Sequence, residues 1–454
     1  MYQRILLALV CGISVPAAAQ VRPPVTLQSG PMIGATDMRE VQLWAQTTGP
    51  ARVKVVYWDS LSPRTRLETA EVVTRRDSAY VALLVADRVE AGHSYRYQIL
   101  VNGRPILRPY PLTFRARPQW VWHTDPPPFT LLTGSCFYVR EPGTDRPGDS
   151  HGEGAETIAR ALGAHGGDAM LWLGDNAYLR EVDFNSWTGI LRRWTNTRSL
   201  PALQPFLAAM PHYAIWDDHD YGPNDSDRGW FNKAMTRAGF GLFWPNTVRG
   251  IPELGGAITN EFNYSDVEVF MLDDRWFRAP DRRKTGTRPY FGEAQLQWFV
   301  DALASSRATF KIVAVGGQVL NPAARFENYA TYPDERQRFL DLIAQEHVSG
   351  VVFLSGDRHH TELTRLDRTG NYPLYDLTVS PLSAGVSPPP ADEQNSGRVE
   401  GTLVNARNFA SLEFRGPRGA RVLTLRVLDE NGKELWDREI KASELRDPAG
   451  PSSD

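Results

Sequence analysis

The sequence predicts a two-part molecule, a small all-β sandwich followed by a larger α/β unit. Three observations carry that prediction. Residues 24–115 hold short, mostly alternating runs rich in Val, Tyr and Leu, with no helical pattern between them. Pro126, Pro127 and Pro128 then forbid both a helix and a central strand. Beyond them, continuous apolar runs alternate with helical patterns, as in a sheet buried on both faces. The expected division is 1–20 leader, 21–120 all-β domain, and 121–446 α/β domain.

The leader is read from Arg4, the apolar stretch Ile5 to Val15, and the small residues Ala17 to Ala19. Cleavage near Ala19 and export to a periplasm or the medium are expected. No later apolar run is long enough to span a bilayer, so the mature chain is expected to lack a transmembrane segment. The all-β strands are "EVQLWAQTT" (40–48), "ARVKVVYW" (51–58), "AYVALLVA" (79–86) and "SYRYQILVNG" (94–103). Asn102-Gly103 is a hairpin signal at the end of the last.

The α/β strands begin with "FTLLTGS" (129–135), followed by a helix over 154–165 and "AMLWLGD" (169–175). After a largely helical stretch come "HYAIWDD" (212–218) and "VEVFMLDD" (267–274). A helix over 293–303 precedes "FKIVAVGG" (310–317), and a helix over 335–346 precedes "GVVFLSGD" (350–357). The tail adds "YDLTVSP" (375–381), "FASLEFRG" (409–416), "RVLTLRVLD" (421–429) and "ELWDREIK" (434–441), which complete the sheet layers.

Composition excludes several classes of function. The 454 residues carry a net charge of −3 and are 42% hydrophobic, so no nucleic-acid-binding surface or acidic tail is indicated. With the leader removed, Cys136 is the sole cysteine and no intramolecular disulfide can form. A lone thiol in an oxidising compartment is a liability unless buried or ligated.

Polar clusters fall at the carboxyl ends of the apolar strands. Cys136 follows one, and Asp175, Asn176 and Tyr178 another. Asp217, Asp218 and His219, with Asn224 and Asp225 close behind, follow a third. Asp273, Asp274 and Arg275 follow a fourth, and Asp357, Arg358, His359 and His360 a fifth. Strand ends of an open α/β sheet face one crevice, where ligands bind. Aspartate, asparagine, histidine, tyrosinate and thiolate together suit a transition metal beside a harder divalent ion. Such a pair can clamp a phosphoryl group and activate water. Taken singly, each residue has a plainer reading: Asp175 as a helix cap, Tyr178 as a core aromatic, His219 as a surface residue. Arg275 and Arg358 read equally as phosphate clamps or as structural partners of the adjacent acids. His151, in "GDSHGEG", reads as a loop histidine.

The segments "GSCFY" (134–138), "LGDNAY" (173–178), "WDDHDYGPND" (216–225), "LDDRWFR" (272–278) and "SGDRHHTEL" (355–363) resemble, in order, the alkaline phosphatase D branch of the calcineurin-like metallophosphoesterases. The resemblance spans roughly 25–440. It implies two facing mixed sheets flanked by helices, behind an all-β domain. It also implies a phosphate-ester substrate and a ferric iron with calcium. Cys136, Asp175 and Tyr178 would hold the iron, with Asp175 bridging. Asn224 would hold calcium, and Asp357 and His359 would complete the set. His219 would serve the leaving group, and Asp218 is either a second metal ligand or an orienter of His219. Two departures stand out: "GSCFY" replaces the Asp-x-His motif of the wider superfamily, and its Gly-Asn-His is absent. A secreted binding protein with a structural metal, and a diesterase of phospholipid or teichoic-acid type, are the alternative readings.

Overall fold

The computed structural model describes residues 23–145, 150–246 and 250–450, so the expected leader lies outside them. Two six-stranded mixed sheets form the centre of the molecule. In the first, His212–Ile215, Ala169–Leu173 and Phe129–Gly134 run parallel, in that spatial order. Asn408–Arg415, Val422–Asp429 and Glu434–Lys441 extend it antiparallel. The second orders Asn260–Tyr264, Val267–Met271, Phe310–Ala314, Val351–Ser355, Leu374–Thr378 and Glu362–Leu366. Its four inner strands are parallel and its two edge strands antiparallel.

Three inner strands, Ala169–Leu173, Phe310–Ala314 and Val351–Ser355, are buried at every residue. That explains their mainly apolar character, since both faces are covered. The sheets meet face to face. Phe414 of the first stacks on Phe129 at 4.6 Å and meets Phe310 of the second edge-on at 5.6 Å. Burying each such ring contributes roughly 1.5–3 kcal/mol. Arg421 ties the same end together through Asp266 at 2.7 Å and the carbonyls of Pro126 and Pro127. The triple proline therefore offers acceptors to a buried cation. Helices Ala155–His165, Glu293–Ser305 and Pro333–Gln345 lie within a residue or two of the expected ranges.

The all-β part forms two small sheets from strands between Leu27 and Arg115. Its first strand, Leu27–Thr36, was not expected, because Gly30 and Pro31 interrupt the alternation. The structure accommodates them with register shifts against Val41–Thr47. This strand lies along the edge of the first central sheet, where Ile33 bridges Pro211 and the Thr36 N–H donates to the Tyr213 hydroxyl at 3.1 Å. The buried Trp44 indole donates to the Leu242 carbonyl at 3.0 Å. Covering an otherwise open strand edge suppresses unwanted pairing. Among the described residues, no helix is long and apolar enough to cross a membrane.

Candidate metal centre

The strand ends deliver their polar residues through tight turns. Cys136, Asp175, Asp225, Asp357 and His359 all have left-handed backbone, with φ of 61°, 53°, 58°, 67° and 57°. For a residue with a Cβ this conformation costs roughly 1–2 kcal/mol, so surrounding packing must impose it. Such clustering of outliers points to function. Two glycines let the sheets close on each other here. A Cβ on Gly356 would lie 2.6 Å from that of Ser135 and 3.0 Å from the Leu173 carbonyl. One on Gly316 would lie 2.5 Å from the Asp217 carboxylate.

Four groups of possible ligands result, each with its donor atoms within 4.8 Å of one another. They are Cys136, Asp175 and His359; Asp175, Asp218 and His219; Asp217, Asp218 and Asp357; and Asp218, Asp225 and Glu327. Asp175 joins the first group to the second, and Asp218 joins the remaining three. The Cys136 Sγ stands 3.6 Å from Asp175 Oδ2 and accepts from the Ser380 hydroxyl at 3.1 Å. The Tyr178 hydroxyl lies 3.4 Å from His359 Nε2, and its ring packs 4.3 Å from that of His219. The His219 backbone N–H is shared between Asp175 Oδ1 at 3.2 Å and Asp218 Oδ1 at 2.9 Å.

Cys136, Asp175, Tyr178, Asp357, His359, Asp218 and His219 are thus gathered in one place. Asn224 is not. It is exposed, and its amide donates to Asp225 Oδ1 at 2.6 Å. The neighbouring Asp225 is exposed too, but its N–H donates to Asp218 Oδ2 at 2.7 Å and its carboxylate groups with Asp218 and Glu327. The two predicted clamps are both engaged elsewhere. Arg275, fully buried, pairs with Asp217 and with Glu327 at 2.7 Å. Arg358 holds Glu393 through both terminal nitrogens, at 3.1 and 2.6 Å, and Gln318 at 2.7 Å. His360 bonds the Ser387 carbonyl at 3.1 Å and faces away.

Burial dominates the titration of these groups. It pushes the Cys136 thiol up to about 12 against the bonds from Ser135 and Ser380. It raises Asp175 well above the carboxylate range, helped by the charges of Asp218 and Cys136. Asp357 goes up to about 6 by burial and by Asp218, and the Tyr178 phenol rises for the same reasons of burial and nearby acid. His359 falls to about 4 through burial and the proximity of His219. Asp218 is the exception. Burial raises it, but His219, Arg275 and the Asp225 N–H together hold it below the usual range. Burying this many anionic donors is unfavourable unless a cation sits among them. The thiol, phenol, carboxylates and imidazole therefore fit a metal-binding role, because a cation favours their deprotonated forms.

Glu327 carried no legible signal in the sequence, while Asp220 belongs to the strand-end cluster with Asp217, Asp218 and His219. Glu327, in the loop after Phe310–Ala314, approaches from the second sheet. Asp220 sits behind the ligands, its buried carboxylate accepting the N–H groups of Asn176 at 2.9 Å, Ala177 at 2.8 Å and Asp217 at 3.2 Å. His151 is no remote loop residue: its ring lies 6.0 Å from that of His359, and Gly385 makes room for it.

Two facing mixed sheets with such donors at their strand ends constitute the metallophosphoesterase fold. Solved structures agree. One described as the structure of PhoD matches with a TM-score of 0.72 at 16% identity, covering 93% of this chain and 92% of that one. A purple acid phosphatase from yellow lupin (Lupinus luteus) seeds matches with 0.65 at 13% identity, covering 90% and 74%. The chain belongs to the PhoD-like phosphatase family, whose model matches residues 150–427. Residues 24–118 match a domain of unknown function, DUF7800. Alkaline phosphatase D of Bacillus subtilis (strain 168) is 24% identical over 198 residues, 37% of this chain. That match spans about a third of the relative's length, 34%.

Proposed function

We propose that the protein is an exported, metal-dependent hydrolase of phosphoric esters. The observation that carries this reading is the sharing of Asp175 between the Cys136–His359 group and the Asp218–His219 group. One carboxylate common to a soft donor set and a hard one suits two unlike cations. Cys136, Tyr178, Asp175 and His359 would hold ferric iron. Asp175, Asp218 and Asp357 would hold calcium, with Asp225 better placed than Asn224 to join them. Bound there, the cations would supply neutralisation of phosphoryl charge and an acidified water.

The chain's own residues supply the rest. His219 is fixed from two sides, by its N–H on Asp175 and Asp218 and by its ring against Tyr178. A ring held this way can present one imidazole N–H to the departing ester oxygen. Burial first, and the cations of Arg180 and Arg275 after it, keep this imidazole below its ordinary pKa, against the pull of Asp218. The buried neighbours Asp218 and Tyr178 make such a donor worth more than it would be in water.

The deciding experiment is metal analysis of purified protein, then assay of phosphate monoesters and diesters with iron and calcium restored. Hydrolysis lost on chelation and recovered on reloading is expected. Absence of turnover on every ester in a metal-loaded preparation would exclude the reading. His219→Ala separates an enzyme from a binding protein, because only the former loses function while keeping its metals.

A further inference from the structure

Arg180, Arg275, Arg278 and Arg358 stand on loops that carry the centre's donors, and the last three are engaged in ion pairs. Arg275 and Arg278 have 0% and 1% exposed side chains and share Glu327, while Arg358, 3% exposed, is held by Glu393. Resting on the hydrolase reading, we propose that Arg180 is the substrate-binding cation of the site, its terminal nitrogens meeting the phosphoryl oxygens that the metals leave uncovered.

Arg180 lies two residues beyond Tyr178 and retains 17% exposure of its side chain. Its guanidinium carbon is 5.3 Å from the centre of the Tyr178 ring and 4.5 Å from that of Tyr138. The Tyr178 ring in turn packs against His219. The ion pair with Asp145 uses Nε, at 3.0 Å. The guanidinium also bonds the Tyr138 hydroxyl, and its Nη1 makes a long 3.5 Å approach to the Leu179 carbonyl. Two aromatic faces and one carboxylate thus pre-set the guanidinium. A planar fork of this kind matches a phosphate oxygen pair. The backbone is fixed as well, with the Arg180 N–H on Asp183 Oδ2 at 2.9 Å and the Leu179 N–H on the His219 carbonyl at 3.1 Å. The positive charge of Arg180 already acts on His219, lowering its basicity.

The test compares Arg180→Gln and Arg180→Lys with the parent protein, all loaded with iron and calcium. We expect Arg180→Gln to raise both KM for an aryl phosphate monoester and the inhibition constant of inorganic phosphate by about tenfold or more. Arg180→Lys should recover part of each, and iron content should stay constant in both. Unchanged constants in Arg180→Gln overturn the assignment. So does a rise that comes only with loss of iron, which would make Arg180 part of the loop scaffold. Should the parent protein hydrolyse no ester, the hydrolase reading fails by itself. Calorimetric titration of the loaded proteins with inorganic phosphate then still decides the role of Arg180. Weaker binding in Arg180→Gln supports it, and equal binding overturns it.

Discussion

The Tyr178 hydroxyl lies 3.4 Å from Nε2 of His359, a residue 181 positions further along the chain. They come from different sheets, one behind Ala169–Leu173 and the other behind Val351–Ser355. Their meeting places a phenol beside an imidazole, a thiol and a carboxylate. If ferric iron occupies that group, the phenolate gives a visible charge-transfer band. Tyr178→Phe should abolish the band while the fold persists, and should lower hydrolysis by at least about tenfold. A colourless but iron-loaded and active parent protein would remove Tyr178 from the metal.

Asp218 and Asn224 should separate cleanly. Asp218 belongs to three ligand groups, whereas the Asn224 amide is exposed and bonded to Asp225. Asp218→Asn should reduce turnover more than about 100-fold, beyond the usual cost of losing an outer-shell partner. Asn224→Ala should stay within about threefold, as surface changes of about 0.5 kcal/mol do. Calcium content measured on both variants checks the assignment. Equal losses would restore Asn224 to the site.

Arg275 should prove to be a stability residue. It is wholly buried and neutralises Asp217 and Glu327 across the two sheets. Arg275→Leu leaves Asp217 uncompensated and Glu327 with Arg278 alone, at a cost of about 3–5 kcal/mol. Denaturant unfolding should show that loss. A KM rise at unchanged stability would instead identify Arg275 as a phosphate contact.

His212 sets part of the acid sensitivity of the fold. It is fully buried, accepting at Nδ1 from the Trp172 indole and donating from Nε2 to the Phe206 carbonyl, both at 3.1 Å. Burial depresses its pKa to about 3. The unfolded chain takes up a proton below roughly pH 6.5 while the native state does not. Stability therefore falls as pH drops from about 6.5 toward 3, by up to about 1.4 kcal/mol per pH unit from this group. His212→Gln keeps a polar side chain but cannot titrate. Its stability should be correspondingly less pH-dependent in that window, read from unfolding midpoints at pH 7, 6 and 5.

Much of the site was legible because apolar strands announce themselves and their ends carry unusual residues. Ala169–Leu173 into Asp175, and Val351–Ser355 into Asp357 and His359, are examples. What stayed hidden is what depends on side chains crossing between sheets. Arg275 reads identically whether it pairs with Asp217 or waits for phosphate, and Glu327 follows no strand-end pattern at all. Asn224 and Asp225 differ by one position, and only the turn after Tyr221 decides which one reaches Asp218. The strand Leu27–Thr36 escaped notice because its partner edge, not its own alternation, holds it extended.

One consequence concerns how the molecule comes apart. Cys136 and Asp175 belong to the first central sheet, and Asp357 and His359 to the second. A cation held by both sets acts as a rivet through the seam of the sandwich. Metal loading should then slow unfolding as well as permit chemistry, since ions that bind only the native state stabilise it by mass action. Chelated protein should yield to protease at the sheet seam long before the all-β domain does.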